Sequence, residues 1–387
     1  MIDGKRRLGA RVDDIRKYID DIVGEDLDAK RIESLANATL GIMTGASLAV
    51  AVIGQSLAQA RGLLIKHAVK QVDRLLSNRG IEVWDLFAAW VPEVIGPRRD
   101  IVVAMDWTEF EADGQATLAL NLVTRHGRAT PLLWMSVWKE ELTQARNAYE
   151  DACLVRLSEV LPEGVSVTLL ADRGFGDCKL FDFLTALGFG YIIRFRGNIH
   201  VTAADGQTRP AATWVGQGGR ARKLRNAQVT VAQSPVGAVV CVQAKDMKQA
   251  WCLATSDGGA TAREIINRYS RRWTIEPSFR DTKDLRFGMG LGSVRISCPE
   301  RRDRLLLVHA FAVVLLTVLG AAGESLGMDR HLKVNTVKHR TQSLFRQGAM
   351  LYELIPTMPE VRLRPLIERF TKFLQQSRVF SEAFAII

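Results

Sequence analysis

The chain has 387 residues, 47% of them hydrophobic, and a formal net charge of +10. That is enough apolar material for a sizeable core, which excludes a disordered chain, and length alone suggests two or three domains. The basic balance favours a polyanionic partner. Five widely spaced cysteines with no C-x-x-C pair argue against a disulfide framework or a structural zinc site. The polar start, Met1-Ile2-Asp3-Gly4-Lys5-Arg6-Arg7, carries no apolar signal region, so a reducing, cytoplasmic setting is expected.

In chain order, residues 10–90 read as helical: 13–19, 31–40 and a long amphipathic run over 56–76, with a break expected at Gly41–Gly45. Pro92, Gly96 and Pro97 suggest a linker. The texture then turns to strands. An apolar run over 101–105 ends in Asp106, and segments 117–123 and 130–137 complete an antiparallel meander around Arg125-His126-Gly127. Residues 141–160 read as a helix, 165–171 as a strand ending at Asp172, 180–187 as a helix and 191–195 as a strand. Residues 196–250 look like a β-rich insertion, 251–254 return to strand, and a helix follows from about Ala260. The pattern predicts an α/β fold: a mixed-sheet core over 98–325, with the insertion inside it, preceded by a helical region over 1–95 and followed by another over 326–387.

Charge is uneven along this order. Residues 96–195 hold 14 acids against 10 bases, and residues 196–250 hold 8 bases against 2 acids. Acids next to bases suit a metal-dependent enzyme acting on a polyanion, although a single charged patch is usually only solvated surface. Residues 305–322 are almost uncharged and just long enough to span a bilayer; a helix buried on all sides is the better reading, with membrane association as the rival.

Three acids carry the chemistry. Asp106 and Asp172 each follow an apolar strand, which sets carboxylates at one sheet edge, yet an Asp before a Gly-rich turn is often only a cap. The third, Glu276, lies in Tyr-Ser-Arg-Arg-Trp-Thr-Ile-Glu-Pro-Ser-Phe-Arg-Asp-Thr-Lys over 269–283. On a continuous helix Tyr269, Arg272, Glu276 and Lys283 fall within an arc of roughly 60°. The plain alternative is a salt-bridged exposed face, since Arg272 and Glu276 are four residues apart. Pro277 makes the geometry conditional on a kinked but unbroken helix.

The Y-(2)-R-(3)-E-(6)-K spacing of Tyr269, Arg272, Glu276 and Lys283 resembles the signature of bacterial DDE transposases of the insertion-sequence-four family. Val103–Thr108 and Leu170–Phe175 resemble that family's first and second catalytic strands, Trp251–Ser256 resembles the strand before its catalytic helix, and the likeness covers about residues 98–325. It implies an RNase H-like core in which Asp106, Asp172 and Glu276 are catalytic and ligate Mg²⁺ or Mn²⁺, as two ions. Tyr269, Arg272 and Lys283 would hold phosphates, and Trp251 would stack on a base taken out of the duplex. The implied reaction is metal-dependent cleavage at insertion-sequence ends and strand transfer, a cut-and-paste transposition. Implied partners are double-stranded DNA with terminal inverted repeats, target DNA and a second copy in a DNA-bound dimer, with no membrane and a nucleoid-associated place in the cytoplasm. The alternative is a transposase-derived DNA-binding protein without catalysis.

Other candidates are weaker. Trp273 is expected to pack beneath the helix, and Glu109 and Asp113 to sit on a hairpin. His309 reads as a core residue. Arg220, Arg222, Lys223 and Arg225 form a candidate DNA-backbone patch, with Lys333, Lys338, His339 and Arg340 as a second.

Overall fold

The computed structural model describes residues 2–334 and 336–375, with side chains described over 12–334 and 336–374. Five helices lead: α1 (Ile2–Val23), α2 (Ala29–Gly45), α3 (Val50–Arg61), α4 (Ile65–Leu76) and α5 (Val83–Ile95). Then come β1 (Asp100–Phe110), β2 (Gln115–Leu122), β3 (Thr130–Trp138), α6 (Leu142–Val160), β4 (Ser166–Ala171), α7 (Cys178–Ala186) and β5 (Gly190–Phe195). The insertion supplies β6 (His200–Thr202), β7 (Thr208–Pro210), β8 (Arg222–Val229) and β9 (Ser234–Val242). The chain closes with β10 (Trp251–Thr255), α8 (Ala262–Ser270), α9 (Ile275–Lys283), α10 (Pro299–Ser325), α11 (Leu344–Leu354) and α12 (Glu360–Gln375).

All ten strands form one mixed sheet in the order β3-β2-β1-β4-β5-β10-β9-β8-β6-β7. β1, β4 and β5 run parallel, and β2, β3 and β10 are antiparallel to their neighbours. This is the α/β, RNase H-like mixed sheet that the sequence implies. The insertion is β-rich as expected, and it extends the core sheet because β10 pairs with both β5 and β9.

Several boundaries differ from the expectation. The run 56–76 is two helices: Gly62, at φ 69°, lets its N–H cap the Ala58 carbonyl and turns the chain. Gly41 does not break α2. It lets α3 approach, since a Cβ there would lie 2.6 Å from the Ile53 carbonyl oxygen. The helix ends later, with Ala46 left-handed at φ 44°. Pro92 lies inside α5 rather than in a linker, and Gly96 at φ 60° ends that helix. The apolar segment 305–322 lies in α10, whose most apolar window is 94% buried. There α10 packs against α2, α4, α5, α11, α12 and β3, so its apolar length is covered by protein.

Candidate active site

Asp106 does not end its strand, contrary to the expectation. β1 continues to Phe110, because it keeps pairing with β2 through Asp106↔Ala119 to Phe110↔Gln115. What ends there is β4, whose last pair with β1 is Met105↔Ala171. Asp106 therefore stands one residue past the end of the parallel ladder, and Asp172 one residue past β4. Both carboxylates arrive at the same step in the sheet. Asp172 also acts as a cap, its Oδ1 accepting from the Gly174 N–H at 2.7 Å. Trp107, the neighbour of Asp106, points to the other face, where its Nε1 donates to buried Glu150 at 2.7 Å.

The segment carrying Glu276 is broken in hydrogen-bond pattern but not in handedness. A tight 3₁₀ turn at Arg271–Thr274 joins α8 to α9, and the residues flanking it keep right-handed helical dihedrals. Pro277 falls in the first turn of α9, where its missing N–H leaves no helix bond unmade. Thr261 and Glu264 cap the start of α8 reciprocally. Ser278 fastens α9 to the segment before β3, accepting from the Ala129 N–H at 3.0 Å and donating to the Ala129 carbonyl at 3.1 Å. Arg128 pairs with Asp281 one turn further on.

Arg272 is the centre of the arrangement. Only 7% of its side chain is exposed, and it donates to Asp106 Oδ2 and Glu276 Oε1, both at 3.2 Å. This joins β1 to α9 across 166 residues of sequence. Burial works against its charge, yet Tyr269, Asp106, Asp172 and Glu276 together hold its proton above the ordinary value. The Asp106 carboxyl is pushed up to about 6. Burial is the main cause; Arg272 and the Trp107 N–H oppose it, and the charges of Asp172 and Glu276 reinforce it. Three carboxylates thus act on one buried guanidinium, leaving a surplus of negative charge.

The other expected residues are distributed around this centre. Tyr269 is 2% exposed and meets Trp251 edge-to-face at 5.1 Å, so Trp251 is half-buried against it. Lys283 Nζ donates to Thr108 Oγ1 at 3.1 Å and to the Glu109 carbonyl, on the stretch of β1 beyond Asp106. Burial draws its pKa down. Trp273 does not pack beneath the helix. The tight turn leaves it 48% exposed beside Arg272, with the guanidinium 5.5 Å from its ring.

Asp113 sits in the β1–β2 turn as expected and pairs with Arg302. Glu109 pairs with Lys139. His309 is buried and touches Thr282 Oγ1 at 3.0 Å, under α9. Lys223 is held by the Gly258 and Ala260 carbonyls, whereas Arg220, Arg222 and Arg225 are exposed. In the second basic cluster Lys333 pairs with Asp329 and Arg340 with Glu324.

Sequence reading missed Arg194, whose charge acts on Tyr269. A lone arginine in the apolar strand Tyr-Ile-Ile-Arg-Phe was the available signal. It also missed Ser278 and the Arg128–Asp281 pair, which no local pattern announces.

The donor chemistry fits a hard divalent cation: three carboxylates, oxygen only, with excess negative charge. Asp106 Oδ1 accepts from the Trp107 N–H at 2.9 Å, and Arg272 takes one oxygen each of Asp106 and Glu276. Among the described residues, no three His, Cys, Asp or Glu side chains stand close enough together to cage an ion.

The family model for the transposase DDE domain matches residues 97–315, more than half of the chain and the whole of the sheet step just described. No curated protein matches the chain.

Proposed function

This chain belongs to the transposase DDE domain family, and from that premise we propose that it cuts DNA at the ends of an insertion sequence and joins them to target DNA. Water attacks the phosphodiester at each end and frees a 3′-hydroxyl. That hydroxyl then attacks a second phosphodiester, so each bond broken is matched by one formed and no external energy source is needed. The narrower assignment, to the insertion-sequence-four family, rests on the spacing of Tyr269, Arg272, Glu276 and Lys283.

The observation that carries this reading is the hold of Arg272 on Asp106 and Glu276, with Asp172 acting on the same carboxyl. Asp106, Asp172 and Glu276 would hold Mg²⁺ or Mn²⁺, in one or two ions. A bound ion of this kind activates water and neutralises charge on the departing oxygen. Arg272 bridges Asp106 and Glu276 and fixes the orientation of the two carboxylates that would hold the ion. Lys283 pairs with no carboxylate among the described residues and is held by neutral oxygens and the Phe110 ring, so its charge is available to a DNA phosphate. Trp251, braced by Tyr269, offers a ring on which an unstacked base can rest. The preceding helices would read terminal inverted repeats, and two copies would work as a DNA-bound pair associated with the nucleoid.

The test is a cleavage assay on labelled duplex carrying the ends of the element that encodes the chain, with Mg²⁺ or Mn²⁺, with EDTA, and with Asp172→Asn. Nicking at the boundary that needs the metal and is lost in the variant supports the reading. Metal-independent nicking, or full activity in Asp172→Asn, defeats it.

A further inference from the structure

Immediately after α9 the chain presents Leu285-Arg286-Phe287 to solvent. Leu285 is 75% exposed and Phe287 63%. The loop that carries them is firmly held. Asp284 Oδ1 accepts from the N–H groups of Arg286 at 2.8 Å and Phe287 at 2.6 Å. The Gly288 and Gly290 N–H groups donate to the Asp284 carbonyl at 3.1 and 3.0 Å, and the Met289 N–H to the Asp281 carbonyl at 2.7 Å. Gly288 lies so close to the last turn of α9 that a Cβ there would be 2.4 Å from the Arg280 carbonyl oxygen. On the far side the Met289 carbonyl accepts from the Leu48 N–H at 2.8 Å, which ties the loop to the α2–α3 connection. Two large apolar side chains are thus exposed on a backbone with little freedom left to lose on binding.

The charge around them selects the partner. Arg280 and Arg286 are exposed and pair with no carboxylate among the described residues. The two acids nearby are already engaged, Asp281 by Arg128 and Asp284 by the loop's own amides. Arg280 is four residues beyond Glu276 and so continues the same helix face. α9 ends at Lys283, seven residues and about 10 Å along its axis from Glu276, roughly three base steps of duplex, and the apolar pair follows directly in the loop.

We propose that Leu285 and Phe287 form a wedge that enters the stacked bases of duplex DNA a few base steps from the scissile phosphate, with Arg280 and Arg286 on the flanking phosphates. Apolar side chains inserted between base steps unstack and kink a duplex, and cations on the backbone hold it there. This inference rests on the reading of the chain as a DNA-cutting enzyme, and it assigns to the loop a deforming role separate from the carboxylates and from Trp251.

The test uses the full chain and the same terminal duplex, with 2-aminopurine placed singly at successive positions. Binding is followed by anisotropy in Ca²⁺ and nicking in Mg²⁺. The expected result is a rise in 2-aminopurine fluorescence confined to one or two positions a few base steps from the cut. That rise is lost in the Leu285→Ser/Phe287→Ser double variant, which still binds, and is kept in Phe287→Leu. Binding and nicking with no localised rise, or a rise that the double variant retains, overturns the wedge and leaves the cleavage reading standing. No binding by the unaltered chain defeats both. If the double variant instead loses self-association in sedimentation while the rise persists, the loop is an interface between copies and the wedge is overturned.

Discussion

Two buried arginines reach the β1–β2 hairpin from helices far along the chain, and they end in different surroundings. Arg302, on α10, is fully buried against Asp113, which is itself 7% exposed. It also donates to Gln115 Oε1 at 2.9 Å and lies over the Phe110 ring at 3.7 Å. Asp113 accepts in addition from the Ile296 N–H at 3.0 Å. Arg272 is buried almost as deeply, but its partners are open: 23% of the Asp106 side chain is exposed and 45% of Glu276. The first is a closed ion pair: Arg302 and the Ile296 N–H both reach Asp113 Oδ2, and Oδ1 is buried away from water. The second gathers more negative charge than it neutralises and leaves oxygens facing water. The same residue types make a closed structural pin in one place and an open, negatively charged candidate site in the other, and openness is what separates them.

The largest effect should come from breaking the closed pair. Arg302→Met leaves Asp113 buried without its counter-charge, which costs about 3–5 kcal/mol. Urea unfolding should show that loss, and cleavage per folded molecule should be unchanged; undiminished stability would erase the contrast. Glu276→Gln should do the reverse. Cleavage should fall by about 10²–10³-fold, the scale of losing one preorganised charge at a reacting centre. Unfolding should shift by less than about 1 kcal/mol, because an ion pair this exposed contributes little.

Divalent metal should distinguish the two sites next. An ion that binds only the folded state at 100 times its dissociation constant adds about 2.7 kcal/mol. Thermal unfolding with Mg²⁺ against EDTA should show stabilisation in the unaltered chain and in Arg302→Lys, and much less in Asp172→Asn. Equal shifts in all three would place the ion elsewhere.

The smallest effect concerns the support under α9. Burial draws His309 down to about 4. The unfolded chain takes up a proton near pH 6.5 and the folded one does not, so this contribution to stability is complete above about 6.5 and fades as pH falls toward 4. From pH 8 to 5 the loss is about 2 kcal/mol, at a limiting 1.36 kcal/mol per unit below pH 6.5. Asp303, raised to about 7 by burial, works in the opposite direction over the same range. The clean measurement is therefore the stability difference between the unaltered chain and His309→Gln, which should narrow by about that amount between pH 8 and pH 5. A constant difference would mean that His309 is charged inside the fold.

How much of this was legible in the sequence depends on how local each signal is. The strands, most helices and the three acids declare themselves by periodicity and by position after apolar runs. The burial of 305–322 follows from its being apolar on every side. Asp106 reads as the end of a strand because a period of two reports the strand itself and not where its neighbour stops. Trp273 was misplaced because the 3₁₀ turn at 271–274 depends on the docking of Ser278 onto Ala129, 149 residues away. The Arg302–Asp113 pair spans 189 residues and leaves no trace in local pattern. Gly41 and Pro92 were read as breaks because their commonest role is punctuation. Here close helix approach retains one, and the other lies inside α5.

The position of β10 has a consequence for how the protein is made. A ribosome that has translated only as far as residue 250 has delivered β1–β5 and β6–β9, and β10 is the sole strand that joins these two sets in the finished sheet. Glu276 arrives soon after it. A nascent chain stopped before this seam carries Asp106 and Asp172 but lacks the third carboxylate and Arg272. It also displays two bare sheet edges, β5 and β9, of the kind that drives aggregation. Incomplete copies thus lack the full carboxylate set and are prone to aggregate, so the candidate site is complete only with a finished sheet.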